Sequence, residues 1–451
     1  MFKLGWVFLL LIITIACGTS GCEKEPESVP EPVVELLIPA ENQIFNTLDT
    51  VFIKANVSHN IPISTITLSI TDTDLKPVVS GKTIDPGSIS SGNNNSGSNT
   101  GGNNSGSNSY FIDSYLIIDN KYITASENFL QIRIEVGQEI YRYWYTIGIN
   151  PLSRELDDVL VVTGNLNANK LYSLKQPDEP ELLWSWNSEY IGGYGDSRNS
   201  MFYSSGSLIS GITGYDLKEK KVAWSVPALS SGSLPYFTAF TGIDGSIAAG
   251  ISEGRVESYN SDGLKIVTTP QYQGGAFTRV MHFKDRIVAV FSPYSTNQNT
   301  FMVFNNPAGN LFASINFTGE IVDILNINTN RIFLIINQDG INKAYEYDMN
   351  TNGLVLMHNV TAEPIHIISG NGTDYFISTP TSVFWYKPLS GSVYRYLTTS
   401  GITAIAFDEI SNTLYAAEGA TLNTYSLPNS TPAIDHVFDE PVKDIKLIYN
   451  K

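Results

Sequence analysis

The sequence predicts an all-β protein in two parts, a small N-terminal β-sandwich and a larger ring of four-stranded β-sheets. Two patterns carry this. First, one aromatic residue returns seven times, as Tyr172, Tyr215, Tyr259, Phe304, Tyr347, Tyr386 and Tyr425, at intervals of 43, 44, 45, 43, 39 and 39 residues. Each sits in a short β-prone run that ends in a polar or Gly/Pro turn, and a period near 42 built of short strands is the mark of a β-propeller with four strands per blade. Second, Leu130, Ile132, Ile134 and Val136 alternate with Gln131, Arg133 and Glu135, the period of two expected of a half-buried strand.

Composition agrees with this class. Of 451 residues, 42% are hydrophobic and only 16% charged, with 24 Tyr and 21 Phe, and aromatics favour pleated, half-buried surfaces. The net charge of −17 argues against a nucleic-acid partner, since phosphate binding needs a clustered basic surface.

The N-terminus reads as an address. A basic start, Met1–Lys3, precedes a largely apolar run of 13 residues, Leu4–Ala16, the length of a signal-peptide core and too short to span a bilayer. Cys17 and Cys22 each follow a small residue, and both settings resemble the bacterial lipobox, with Thr19 or Thr14 where Leu is usual. The resemblance implies a leader over 1–21 and lipidation at Cys22, with Cys17 the other candidate. The following Glu23-Lys24-Glu25-Pro26-Glu27 resembles the acidic export signal of Bacteroidota surface lipoproteins. The address implied is the outer membrane, at the cell surface or on its periplasmic face. Residues 22–32 then form a Pro/Glu tether, extended and self-repelling.

From 33 to 150, strands are expected at Val51–Val57, Ser64–Ile70, Tyr110–Ile118, Phe129–Val136 and Glu139–Ile149, enough for a sandwich. The phrase from Leu37 to Phe45, LIPAENQIF, resembles the opening of bacterial Ig-like modules. Within this domain Gly87–Ser109 is almost wholly Gly, Ser and Asn; it has too little apolar surface to offset its chain entropy and is expected to be a disordered loop.

The repeats occupy 156–451 and predict seven blades. Second strands are placed near Val159, Ser207, Ser246, Ile287, Ile332, Asp374 and Thr413. The first unit has only three strands, Val159–Thr163, Lys170–Leu174 and Glu181–Trp186, while one strand, Val442–Tyr449, is left over at the C-terminus. That strand is expected to complete the first blade from the inside and close the ring, removing two open sheet edges. The repeats resemble the quinoprotein-like and YVTN/WD40-like propellers. Asp216 stands eight residues before Trp224, as in pyrroloquinoline-quinone-type repeats, but later units lack the Trp and no Trp-Asp pair occurs. The resemblance implies fold alone, and no cofactor is expected.

No catalytic signature is present. His59, His282, His358, His366 and His436 fall in no metal-ligand spacing, and there is no nucleophile elbow or phosphate loop. Asp323, Asp408 and Asp444 lie in or near inner strands, where a propeller channel gathers side chains for chemistry such as glycoside hydrolysis. Asp72-Thr-Asp74 supplies too few oxygens for calcium. The more suggestive feature is a set of long aromatic links, 187–199, 228–237, 270–277 and 292–300. They predict one patch of Tyr190, Tyr194, Tyr236, Tyr272, Phe277 and Tyr294 with Arg198 and Arg279, the composition of protein interfaces and of sugar-stacking surfaces. The expected function is a non-enzymatic envelope lipoprotein whose propeller docks an outer-membrane protein. Glycan capture is the alternative, and a carbohydrate-active enzyme is a weaker third reading.

Overall fold

A computed structural model describes residues 30–86 and 108–451, apart from 167, 176–178, 209–210, 230–234, 284, 329, 361–362, 365, 371–373, 388–389, 391, 400 and 433. The leader, Cys22 and most of the tether lie outside the described residues, as does 87–107. The chain divides into two compact units, Met1–Ser153 and Arg154–Lys451.

Among the described residues the first unit holds eight strands: β1 (Val33–Ile38), β2 (Ile44–Asn46), β3 (Thr50–His59), β4 (Thr65–Thr71), β5 (Pro77–Ile84), β6 (Asn108–Ile117), β7 (Glu127–Val136) and β8 (Glu139–Asn150). One sheet has the order β1-β3-β6, the other β2-β8-β7-β4-β5. Their alternating inner residues, Val51, Ile53, Ala55 and Val57 from β3 with Leu130, Ile132, Ile134 and Val136 from β7, share one core, so the unit is a two-sheet sandwich.

Three strands that sequence reading omits, β1, β2 and β5, are short or edge elements. The expected disordered loop also needs trimming, because Asn108 and Ser109 belong to β6, paired with His59 and Ser58. The last tether residues are held as well: His59 Nε2 donates to the Pro30 carbonyl at 2.6 Å, and Tyr143 donates to the Pro32 carbonyl. Asp72 makes a turn, its Oδ1 accepting from the N–H groups of Asp74 at 3.0 Å and Lys76 at 2.8 Å.

The second unit contains seven four-stranded sheets among the described residues. All seven periodic aromatics lie on third strands. Each pairs with a second-strand residue: Val161, Phe202, Ile247, Ile287, Ile332, Tyr375 and Leu414 in order. Six are buried, and Tyr172 is half-buried. Burying one large ring per repeat sets the period, since a ring is worth roughly 1.5–3 kcal/mol when removed from water.

The inner strands are, sheet by sheet, Val442–Tyr449, Gly192–Asp196, Phe237–Ile243, Gly275–His282, Glu320–Asn328, His366–Ser369 and Ile402–Asp408. Each packs on the inner strand of the next sheet, and Val442–Tyr449 packs on those of both the second and the seventh. The ring is closed, and the unit is a β-propeller. The strand nearest the C-terminus pairs antiparallel with Leu156–Gly164, with Ile445 opposite Val161 and Leu447 opposite Val159.

One strand was misplaced by sequence reading. The second strand of sheet 2 is Met201–Ser205, ahead of Ser207, and the inner strand Gly192–Asp196 lies inside what reads as a long link. Gly-Gly-Tyr-Gly-Asp has little strand propensity, but the neighbours require small residues there. A Cβ on Gly193 would sit 2.8 Å from the Phe202 ring, and one on Gly195 would sit 2.6 Å from Ile448 Cδ1.

Candidate binding site at the channel mouth

An inner strand has a ladder partner on one side only, so its other edge presents unpaired N–H and C=O groups. Near the start of five inner strands the register also slips by one residue, between Val442 and Asp444, Phe237 and Ala239, Phe277 and Arg279, Ile321 and Asp323, and Ile402 and Ala404. Such a bulge re-aims side chains. Here they reach the next sheet.

Thr238 Oγ1 donates to the Phe277 carbonyl at 2.6 Å, Arg279 Nη2 to the Val322 carbonyl at 3.0 Å, and Ile367 N to Asp323 Oδ2 at 2.8 Å. The Tyr190 hydroxyl donates to Asp444 Oδ2 at 2.6 Å. Each of these four bonds stitches one junction of the ring with a side chain. Asp323 and Asp444 are equivalent: each Oδ1 also accepts the N–H of the following isoleucine at 2.9 Å. Burial pushes the Asp323 carboxyl up, against the Ile367 N–H and neighbouring His366. Burial, and then the Asp444 carboxylate, hold the Tyr190 phenol well above its ordinary value.

Inside this girdle the channel opens as a cavity of about 700 Å³, lined by Tyr190, Phe240, His366, Lys443, Asp444 and Lys446 among others. Asp444 pairs with Lys446 at 2.9 Å. Lys443 meets neutral acceptors, the Asn165 carbonyl and Asn169 Oδ1, the latter at 2.8 Å. A second, polar cleft of about 610 Å³ lies between sheets 4 and 5, with Arg279, Ser292, Asn297, Asn299, Glu320 and Asp339 in its walls.

The predicted patch does not form as one surface. Phe277 is 0% exposed and Tyr236 5%; Phe277 lies inside an inner strand and Tyr236 packs edge-on against Phe237 at 4.8 Å. Tyr272 meets the rings of Phe277, Phe291 and Phe304 at 6.1, 5.9 and 6.1 Å. Tyr194 stacks on Tyr203 and donates to Asp244 at 3.2 Å. These rings satisfy their own Gly-rich surroundings, because burying an aromatic is worth more than displaying it. Arg198 is exposed, and Tyr294 is 63% exposed with its hydroxyl donating to the Ser252 carbonyl at 2.7 Å. Tyr190 lines the channel mouth and Arg279 the polar cleft.

Of the three candidate acids, Asp323 and Asp444 do meet at the mouth. Asp408 does not line it: it caps a turn through Ser411 N at 3.2 Å and accepts from the Tyr449 hydroxyl at 3.2 Å. Sequence reading set His366 aside with the other histidines and passed over Lys443 and Lys446. The signal available for the lysines was the cluster of charges at Lys443, Asp444 and Lys446 in a strand already expected to line the channel.

No protein-family model matches the chain, and no curated protein does. Solved structures of low similarity do. The computationally designed Ika8 protein is 14% identical over 65% of this chain and 91% of its own, with a TM-score of 0.47. A functionally unknown protein from Desulfotomaculum acetoxidans is 13% identical over 65% of this chain and 99% of its own, with a TM-score of 0.47. A quinonprotein alcohol dehydrogenase-like protein from Bacteroides thetaiotaomicron is 11% identical over 93% and 99%, with a TM-score of 0.43. At such identities and scores these likenesses carry nothing about chemistry.

Proposed function

We propose that this protein is a lipid-anchored component of the cell envelope whose seven-bladed propeller, behind an Ig-like spacer, docks an outer-membrane protein without catalysing a reaction. The lipid anchor rests on the Cys22 setting and the apolar leader, and more than one acyl chain would hold it firmly. The observation that favours docking over turnover is the commitment of the channel acids. Both oxygens of Asp323 and of Asp444 accept hydrogen bonds from the ring itself. These bonds hold each carboxylate in a fixed orientation as a tie between neighbouring sheets.

Cross-linking on intact cells, followed by capture of the tagged protein from outer membranes, tests the docking. A stoichiometric membrane partner is the expected result, and turnover of any polysaccharide by the purified protein would overturn it. Metabolic labelling with a palmitate analogue tests the anchor: Cys22→Ser should lose the label and Cys17→Ser keep it. The glycan-binding alternative is favoured by the amide- and hydroxyl-rich cleft between sheets 4 and 5. A carbohydrate array separates it from protein docking.

A further inference from the structure

We propose that the channel mouth is a binding site for a small carboxylate-bearing ligand, seated on the ammonium of Lys443 against a partly apolar wall. This deepens the binding reading of the propeller and rests on it. The starting point is charge. In a chain of net charge −17, a cavity whose acids are spent and whose cation is not runs against the background.

Asp444 is occupied by Tyr190, by the Ile445 N–H and by Lys446, and Asp323 by two backbone N–H groups. Lys446 is thereby neutralised. Lys443 has no carboxylate within ion-pair distance among the described residues and donates only to Asn165 and Asn169. Burial lowers its pKa, against the opposing pull of the Glu440 carboxylate, and an arriving anion would act in the same direction as Glu440.

The ammonium is also held in place. Asn169 is buried, and its Nδ2 donates to the Ser188 carbonyl at 2.6 Å, so its Oδ1 is fixed toward Lys443. Such an orienting partner is what a preorganised ligand site needs. The imidazole of His366 lines the same cavity, adding a second group able to donate to an anion.

Size and walls define the rest of the ligand. About 700 Å³ suits a small molecule, and Phe240, Ile191 and Ile402 supply apolar surface. A compact acid with a ring or short apolar body fits, whether a sugar acid or an acidic amino acid.

Isothermal titration of the purified, detergent-solubilised protein with glucuronate and N-acetylglutamate, each against its neutral counterpart glucose or N-acetylglutamine, tests this at low ionic strength. At least one acid should bind tenfold or more tightly than its neutral counterpart, and which acid does so identifies the source. Lys443→Gln should abolish that preference and Lys443→Arg retain it. Gly192→Leu adds an uncharged side chain to the mouth, where the nearest atoms to a Cβ belong to Phe240, at 3.9 Å, and should weaken binding at least tenfold. Equal affinity for acid and neutral ligand, no binding of either acid, a preference that survives in Lys443→Gln, or undiminished affinity in Gly192→Leu would overturn the site. Partner capture that persists while both titrations stay silent would overturn this site and leave protein docking standing.

Discussion

The phenolic hydroxyl of Tyr190 donates to Asp444 Oδ2 at 2.6 Å, tying the segment ahead of sheet 2 to the strand that completes sheet 1. The two residues lie 254 positions apart in the chain. Their bond sits at the junction where the ring is sealed. Tyr190→Phe keeps the ring and deletes only the hydrogen bond to a partly buried carboxylate, so it should cost about 1.5–3 kcal/mol. Urea unfolding measures this, and a loss under ~0.5 kcal/mol would mean water replaces the hydroxyl.

Deleting residues 442–451 removes the inner strand of sheet 1 and leaves Leu156–Gly164 as an unpaired edge. It also strips Val442 and Ile445 from a core shared with Ala404, Ala406 and Leu422 of sheet 7. Thermal melting should then fall by well over 10 °C, because the lost core contacts add to two opened edges. A truncated chain as stable as the intact one would contradict closure by this strand.

His282 predicts an acid-side loss of stability. Its imidazole is buried between Ser246 Oγ and Asn306 Nδ2, each at 3.3 Å. Burial lowers its pKa from 6.5 to about 4. The unfolded chain therefore binds the proton more readily than the folded one, and stability falls with pH across that window, by ~3 kcal/mol in all near pH 4. Above pH 6.5 both states are neutral at this site and it contributes no slope. Denaturant midpoints measured at pH 7 and pH 4.5 should diverge less in His282→Gln than in the native chain, once the difference at pH 7 is subtracted.

Tyr272 and Tyr294 separate packing from display. Tyr272→Ala removes a ring that meets three phenylalanines and should cost ~3 kcal/mol or somewhat less for its half-buried setting. Tyr294→Ala removes an exposed ring with one hydrogen bond and should cost under ~1 kcal/mol. If the docking partner grips this face, Tyr294→Ala weakens capture while the melting curve barely moves.

Repeats were legible because burial is local and periodic: each unit must hide one large ring on its third strand, so Tyr172 through Tyr425 mark the period without any long-range information. The sandwich strands with strict alternation were equally plain, while short edge strands such as Ile44–Asn46 left no such trace. Gly192–Asp196 was hidden for the opposite reason. Its strand state is imposed by partners, not preferred by its residues.

By itself the amino-acid sequence determined the β architecture, the repeat length and the pairing of a first unit short of one strand with a last strand left over. Those follow from hydrophobic period and strand count, which act over neighbouring residues. Tertiary structure alone decided which polar groups share a site. Tyr190, Asp444, His366 and Lys443 meet only because a closed ring brings residues of six inner strands to one mouth, and the same closure turned most of the predicted aromatic surface inward, where burial stabilises a ring more than water does.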